Sequence, residues 1–158
     1  MKIRKGKKED LPEILNLIKE LADYENALDE VQITLEQLQE DGFGIRPWYW
    51  FIVVEKNNMI IGMSFYHIRY STWKGKFLFL EDFVIKKEYR REGVGSALFQ
   101  ATINITVEEK LNGMTWQVLD WNVSAINFYK KYAADISGDW LNGKLSKNQL
   151  KKLYCKIN

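Results

Sequence analysis

Hydrophobic residues recur at helical spacing near the start of the chain, behind a short polar segment. Five of them fall at i, i+3, i+4 positions and mark one face of a helix: Leu11, Ile14, Leu15, Ile18 and Leu21. Asp10 stands where an N-cap is expected, and Pro12 falls in the first turn, where its missing N–H costs nothing. The pattern predicts a helix over "KEDLPEILNLIKELADYE", preceded by a short strand at residues 2–6.

The next segments predict a second helix and then a change to extended structure. In "TLEQLQEDGFG", Thr34 is the predicted cap, Gln37 lies three residues on, and Gly42 is the predicted end. "WYWFIVVE" (48–55) and "MIIGMSFYHIR" (59–69) flank a turn at Asn57 and Asn58, which predicts a hairpin. "YSTWKG" reads as a loop, and "KFLFLEDFVI" (76–85) as a long third strand.

The remaining segments alternate between helix and strand. A helix is predicted from Val94 to about Lys110, a strand at "MTWQVL" (114–119) and a helix at "SAINFYKKY" (124–132). A short strand and a terminal helix, "SKNQLKKL", are expected to complete the chain. No repeat or linker interrupts the pattern. Antiparallel strands followed by a strand–helix–strand–helix section predict a single mixed α/β (α+β) domain over residues 1–158.

Composition narrows the class of protein. A length of 158 residues, 46% of them hydrophobic and 28% charged, fits one globular domain with its own core. No stretch reaches the roughly 20 apolar residues of a membrane helix, and the basic N-terminus lacks the apolar region of a secretory signal. The single cysteine, Cys155, excludes an internal disulfide and fits a reducing compartment, so we expect a cytoplasmic protein without membrane contact.

The single histidine argues against two kinds of site. With only His67 and one cysteine, a His/Cys metal site is not expected. A catalytic triad would depend on the same histidine, and no nucleophile motif accompanies it. His67 is therefore expected to be a strand residue with a local hydrogen bond.

Charge is distributed unevenly although the net charge is only +2. Residues 9–41 hold eleven carboxylates and one lysine, whereas basic residues outnumber acidic ones from Lys86 onward. Solvated helix faces account for many of these residues individually. Together the two halves favour a cationic ligand on one side and an anionic ligand on the other. Nucleic acid is not an expected partner, because it requires a concentrated basic surface.

The stretch "EYRREGVGSALF" (88–99) places glycines at a predicted helix start. Gly93 and Gly95 allow a ligand to approach the unpaired N–H groups there, and Arg90 and Arg91 add positive charge. These are the parts of a phosphate cradle. The spacing matches neither a kinase-type loop nor a Rossmann loop, and an ordinary strand-to-helix turn is an equally good reading of the loop alone.

In its context the R-x-x-G-x-G spacing resembles the pyrophosphate loop of the GNAT family of N-acetyltransferases, and the chain resembles that family over essentially its whole length. The resemblance implies a largely antiparallel mixed sheet flanked by helices, with a splayed strand pair at the acetyl-CoA site. It also implies a β-bulge in "EDFVI". The cofactor-binding residues that it implies are Phe83, Val84, Ile85, Arg90, Arg91, Glu92, Gly93, Val94, Gly95, Ser96, Asn122, Ser124 and Tyr129.

Five stretches narrow the resemblance to the diamine (spermidine/spermine) branch and its thialysine-acetylating relatives: "LIKELADYE", "EDGFG", "YSTWKGK", "LEDF" and "LDWN…SAINFYKK". Ser71 and Thr72 stand where polyamine enzymes carry Asp-Pro, which favours a small amino acid with a side-chain amine as substrate. Two positions depart from the family pattern. Arg91 and Ala133 stand where relatives usually have glycine.

Acetyl transfer to an amine requires a base, because an ammonium has no lone pair. The resemblance implies that Glu81 is this base, acting through a water, with Asp82 beside it, and that Tyr129 protonates the leaving thiolate. Adjacent strand residues point to opposite faces, so Glu81 and Asp82 can share a cleft only if a bulge intervenes. Tyr24 and Glu25 match substrate contacts in the branch, with an ordinary helix surface as the alternative, and Trp73 is expected to close the substrate loop.

The leading interpretation is an N-acetyltransferase in which a small primary amine attacks acetyl-CoA directly in a ternary complex. Three alternatives remain: a polyamine N1-acetyltransferase proper, an enzyme acting on protein amines, and a catalytically silent acyl-CoA-binding sensor. The sensor is disfavoured because a binding module has no use for both an acid and a base. The resemblance further implies a homodimer, and no metal is expected.

Overall fold

The computed structural model describes residues 1–154, and the chain divides into two compact units, Met1–Gln117 and Val118–Asn158. In the first unit, a five-stranded sheet has the order β1 (Lys2–Lys5), β2 (Trp50–Lys56), β3 (Met59–Ser71), β4 (Gly75–Ile85) and β5 (Met114–Trp116). Its helices are α1 (Leu11–Tyr24), α2 (Leu35–Phe43) and α3 (Val94–Glu108). The first four strands are antiparallel to their neighbours, and β5 is parallel to β4. The mixed α/β prediction is confirmed.

The sheet carries a hydrophobic core on each face. Phe51 and Val53 pack with α1 and α2, whereas the alternate residues Ile52 and Val54 pack with α3. Successive side chains of a strand point to opposite faces, so α1 and α2 cover one face and α3 covers the other. No helix within residues 1–154 combines the length and the apolar character needed to cross a membrane.

Local signals predicted several turns and caps correctly. Asn57 and Asn58 both have positive φ, 52° and 60°, as a two-residue hairpin turn requires. Thr34 and Gln37 form the predicted capping box at the start of α2. The predicted end of α2 at Gly42 is one residue too early, because the helix continues to Phe43 and Gly44 is its C-cap.

Asp10 precedes α1 as predicted, but its carboxylate does not cap that helix. Its two oxygens accept hydrogen bonds from the guanidinium of Arg4, at 2.7 and 2.9 Å, and one accepts from the Lys7 amide at 2.8 Å. The same guanidinium donates to Glu55 at 2.8 Å. The carboxylate therefore ties the start of α1 to β1 and β2. Burial is the largest single influence and would raise the pKa of Asp10, but the hydrogen bonds and charges of Arg4 and Lys7 together outweigh it, so the pKa is lowered.

The second unit contains α4 (Val123–Lys130) and α5 (Lys147–Leu153), and the latter has the capping box of Ser146 and Gln149. Two predictions fail near this unit. The strand expected at 114–119 ends at Trp116, and within the described residues no strand forms between α4 and α5. That segment contains Asp135, Gly138, Asp139, Asn142 and Gly143, residue types that disfavour strands. Cys155 lies outside the described residues.

Candidate active site

A β-bulge interrupts the pairing of β3 with β4 at Glu81. Phe65 pairs with Asp82 and Tyr66 with Leu80, so Glu81 is an extra residue in β4. An extra residue breaks the alternation of faces at that point. The condition under which two adjacent carboxylates can share a face is therefore met in this strand.

Both carboxylates lie on the α1 side of the sheet. Asp82 pairs with Phe65, whose side chain belongs to the core beneath α1. His67 is two residues further along β3 and so points to the same face. Its Nε2 lies 3.4 Å from Oε2 of Glu81, which brings the Glu81 side chain to this face as well.

A third carboxylate, Glu25 at the C-terminal end of α1, completes the group. Burial, together with the negative charges of Glu81 and Glu25, raises the pKa of Asp82 to about 7. Burial also raises the pKa of Glu25. Three carboxylates whose charges repel one another would be relieved by a cation, so this group, which we call the carboxylate cluster, favours an ammonium ligand.

Arg90 connects the predicted phosphate loop to the C-terminal end of α1. Its Nε donates a hydrogen bond to the carbonyl oxygen of Ile85 at 2.8 Å. Its guanidinium carbon lies 5.8 Å from the ring centroid of Tyr24, within range of a cation–π contact. Arg90 thus joins the end of β4 to the end of α1.

The loop leaves the start of α3 open beside Gly93. Gly93, the N-cap of α3, has φ of 79° and provides no side-chain cap for the helix. A Cβ built on it would meet no heavy atom within 4 Å. The side chain of Val94 is buried, so this residue offers its backbone alone. Ser96 is exposed, and Glu92 pairs with Lys56 at 3.3 Å.

Arg91 has φ of 67°, in the left-handed region. Ala133, the second departure from the family pattern, has φ of 55°. Side chains with a Cβ adopt this conformation at a cost, whereas glycine does not. This explains why glycine suits both positions.

The edge of β4 that faces β5 is paired only over Leu78–Leu80 within the described residues. Beyond Leu80, the Lys86 amide donates to Ile61 of β3. Backbone groups alternate in direction along a strand, so the amides of Phe83 and Ile85 point away from β3. Val84 and Ile85 are buried, which leaves backbone groups to meet a peptide-like ligand along this edge. The pantetheine arm of acetyl-CoA contains amides, and this edge fits such a group.

Asn122, Ser124 and Tyr129 lie in the second unit, on or beside α4. The side-chain oxygen of Asn122 accepts a hydrogen bond from the Ala125 amide at 3.2 Å and so caps the helix, a structural role that the sequence analysis did not foresee. Ser124 is exposed. Tyr129 is buried, with its ring centroid 5.4 Å from that of Phe128.

Trp73 is not part of the carboxylate cluster within one chain. It lies at the tip of the β3–β4 hairpin, where Ser71 pairs with Gly75, and it is 85% exposed. Glu81 lies six residue steps along β4 from Gly75, about 20 Å at the rise of a strand. Closure of the substrate loop by Trp73 therefore stays a prediction that this placement does not support.

His67 is the residue that the sequence analysis missed, since it was expected only to make a local hydrogen bond. The predicted pairing of the two strands could have indicated that His67 lies near Glu81. Once His67 is paired with Phe79, Glu81 becomes its diagonal neighbour on β4. The ring also stacks on Phe79, with centroids 5.0 Å apart.

Other features lie away from this site. A cavity of about 490 Å³ is bounded by β2, the second half of β3 and the C-terminal part of α3, and no predicted site residue lines it. Among residues 1–154, no three His, Cys, Asp or Glu side chains form a group that could hold a metal ion.

Comparison with known proteins places the site in a family. Residues 12–134 match the model of the acetyltransferase (GNAT) family. The chain is 38% identical over 140 residues to a thialysine N-epsilon-acetyltransferase of Bos taurus, covering 84% of this chain and 82% of that protein. It is 36% identical over 145 residues to a human spermidine/spermine N(1)-acetyltransferase-like protein 1, covering 87% of this chain and 21% of that protein.

Among solved structures, an aminoglycoside acetyltransferase from an uncultured soil metagenomic sample superposes with a TM-score of 0.77 at 19% identity, covering 92% of this chain and 96% of that one. That likeness concerns the fold alone. The family match spans α1, the carboxylate cluster, the glycine loop and α4. This chain therefore belongs to the GNAT family and is an acetyl-CoA-dependent N-acetyltransferase that transfers an acetyl group to an amine.

Proposed function

We propose that the acceptor is a primary amine of a small molecule, with a thialysine-like amino acid as the preferred class and a di- or polyamine as the alternative. The observation that carries the proposal is the carboxylate cluster of Glu25, Glu81 and Asp82. It lies at the β4 bulge, four residues before the end of the strand that leads to the cofactor loop. A compact group of negative charge attracts an ammonium group.

The proposed chemistry is direct attack of the amine on the thioester in a ternary complex. Asp82 and Glu25 hold the ammonium, and Glu81 takes one of its protons through a water. The nitrogen lone pair then attacks the carbonyl carbon, and the carbon–sulfur bond breaks. Tyr129 donates its phenolic proton to the departing thiolate, and the second proton that the nitrogen loses as the amide forms restores the phenol.

The proposed cofactor contacts divide into two groups. Backbone groups of Phe83 and Ile85 pair with the pantetheine arm, and Val84 lies between them at the same edge. The pyrophosphate lies at the N-terminus of α3, where the amides of residues 92–96 and the positive end of the helix dipole favour it. Arg91 adds charge, Arg90 fixes the loop against Ile85, and Asn122 and Ser124 lie beside the cofactor.

The substrate is tested by incubating the purified protein with acetyl-CoA and, separately, thialysine, lysine, putrescine, spermidine and spermine. Released thiol and product mass are measured. We expect the highest kcat/KM with thialysine or lysine. A clear preference for spermidine or spermine would contradict the preferred class and favour the polyamine alternative. Acetyl-CoA binding without turnover on any amine would favour a protein amine or the sensor.

The variant Arg91→Gly tests whether Arg91 carries backbone strain, binds phosphate, or does both. Ala133→Gly is its matched control, since Ala133 also has positive φ. Glycine relieves the left-handed strain, which is worth about 1–2 kcal/mol, but it also gives the unfolded chain more freedom, which costs about 0.4–1 kcal/mol. The free energy of unfolding should therefore rise by roughly 0.5–1 kcal/mol in each variant. Thermal unfolding should show an increase of about 1–4 °C. Only Arg91→Gly should also raise the KM for acetyl-CoA. Equal KM values in both variants would remove Arg91 from the phosphate site.

We further infer that both units form one N-acetyltransferase domain, since the family match crosses the division between them at Gln117. A homodimer in the cytoplasm is proposed from the family resemblance and the single cysteine. Exposed apolar residues of the first unit are consistent with a subunit interface: Ile45 and Trp48.

A further inference from the structure

We propose that His67 is a positioning residue that acts through Glu81: it holds the carboxylate of Glu81 and accepts from it the proton that the substrate ammonium gives up. The inference rests on the proposed function, because it concerns the base of that same site. Three observations carry it: the contact of His67 with Glu81, the solvent exposure of His67, and the position of His67 on the side of Glu81 away from the cofactor loop.

The contact is between Nε2 of His67 and Oε2 of Glu81, 3.4 Å apart. Glu81 is the extra residue of the bulge and has no partner residue on β3, so the strand pairing leaves its side chain less constrained than its neighbours. The imidazole of His67 is also held by its stacking on Phe79, with ring centroids 5.0 Å apart. A fixed ring next to an adaptable carboxylate defines where that carboxylate lies.

The exposure allows a proton to leave. The side chain of His67 is 37% accessible, so the ring touches both Glu81 and water. Imidazole is the side chain best suited to taking up and releasing protons near neutral pH. The side chain of Glu81 is itself 54% accessible in the free protein, so His67 serves as the exit only once a bound amine covers that carboxylate.

His67 lies on the side of Glu81 that is away from the cofactor loop. His67 pairs with Phe79, whereas the cofactor loop follows Ile85 at the other end of β4. An amine bound between Glu81 and the loop covers the carboxylate from the loop side. The imidazole remains in contact with Glu81 on the side that faces the hairpin tip.

The proton balance is simple. An N–H bond of the ammonium breaks, its electron pair stays on nitrogen, and the proton forms an O–H bond on Glu81 through the intervening water. Nε2 of His67 then accepts this proton, which restores the carboxylate, and the imidazolium loses a proton to bulk water. Other charged groups on this face include Asp82 from β4, Glu25 from α1, and Arg69 from β3, whose guanidinium carbon lies 5.8 Å from the Phe79 ring. Lys86, just after β4, pairs with Glu13 of α1 on the same face.

The test compares His67→Ala and His67→Gln with the unmodified protein, using the amine found to be the best substrate. A residue acting through the base should matter less than the base, whose removal costs about 10²–10⁴, so we expect kcat to fall about tenfold with little change in the amine KM. Added imidazole should restore kcat of His67→Ala in a saturable manner and leave the unmodified protein unaffected. The pH dependence of kcat should change in both variants.

A purely structural role predicts a different result. If His67 only supports the strand, His67→Ala should lower thermal stability without imidazole rescue, and His67→Gln should keep the original pH profile. Those outcomes would overturn the inference. Tyr70→Phe, an exposed substitution three residues along the same strand, controls for perturbation of β3. Failure of the unmodified protein to acetylate any amine would instead count against the proposed function.

Discussion

Replacing Tyr129 by phenylalanine is expected to lower kcat by about 10²–10⁴ while leaving acetyl-CoA binding nearly unchanged. The phenolic hydroxyl group is the only part of the side chain removed. Without it, the thiolate of CoA must leave without a proton donor. The ring, which is buried and packs on Phe128, is retained, so α4 should keep its structure.

The measurement is a pair of assays on each variant: steady-state turnover by thiol release, and acetyl-CoA affinity by calorimetry. Tyr132→Phe is the matched control. It makes the same chemical change close by in the sequence, and Tyr132 also packs on Phe128, at 5.5 Å. We expect the control to retain kcat. Turnover of Tyr129→Phe within a few-fold of the original protein would remove Tyr129 from the role of acid.

Features that depend on neighbouring residues could be predicted from the sequence. The Asn57–Asn58 turn follows from residues that tolerate positive φ, and the start of α2 follows from a capping box that spans four positions. The glycine loop was recognised because Gly93 and Gly95 stand at the beginning of an apolar helical run. In each case the residues that determine the structure are adjacent in the chain.

Features that depend on distant pairing could not be predicted from the residues alone. The bulge at Glu81 is defined by its register against β3, and the family resemblance implied it where the residues did not. The contact of Glu81 with His67, fourteen positions earlier, follows from that same register. Gly42 illustrates a competing requirement: a Cβ there would come 2.3 Å from the Tyr49 ring, so this glycine serves side-chain packing rather than helix termination.

The two departures from the family pattern show how sequence and structure inform each other. The sequence alone does not explain why Arg91 and Ala133 stand where the family pattern has glycine. Both have positive φ, so the backbone conformation that glycine favours is kept although the glycine is not. The positive φ is therefore kept without glycine at both positions, and residue 91 carries an added positive charge.

Replacing Asp82 by asparagine is expected to make stability less dependent on pH and to reduce activity. Burial raises the pKa of Asp82 from 3.8 in its ordinary state to about 7 in the folded protein, with Glu81 and Glu25 adding to the effect. Below pH 3.8 both states hold the proton and the group costs nothing. As pH rises from 3.8 to about 7, the unfolded state ionises first, so the free energy of unfolding falls by at most about 4 kcal/mol.

Asp82→Asn lacks this penalty, so its advantage in thermal stability over the original protein should grow between pH 4 and 7 and stay constant above. Its kcat/KM for the amine should fall roughly a hundredfold at pH 7, because the charge that holds the ammonium is gone. Glu81→Gln is the informative companion. It removes one of the charges that raise the pKa of Asp82, so the pH window in which stability falls should become narrower from its upper end. If the unfolding temperatures of Asp82→Asn and the original protein run parallel from pH 4 to 8, the pKa of Asp82 is not raised, and its position beside Glu81 and Glu25 does not destabilise its charged form.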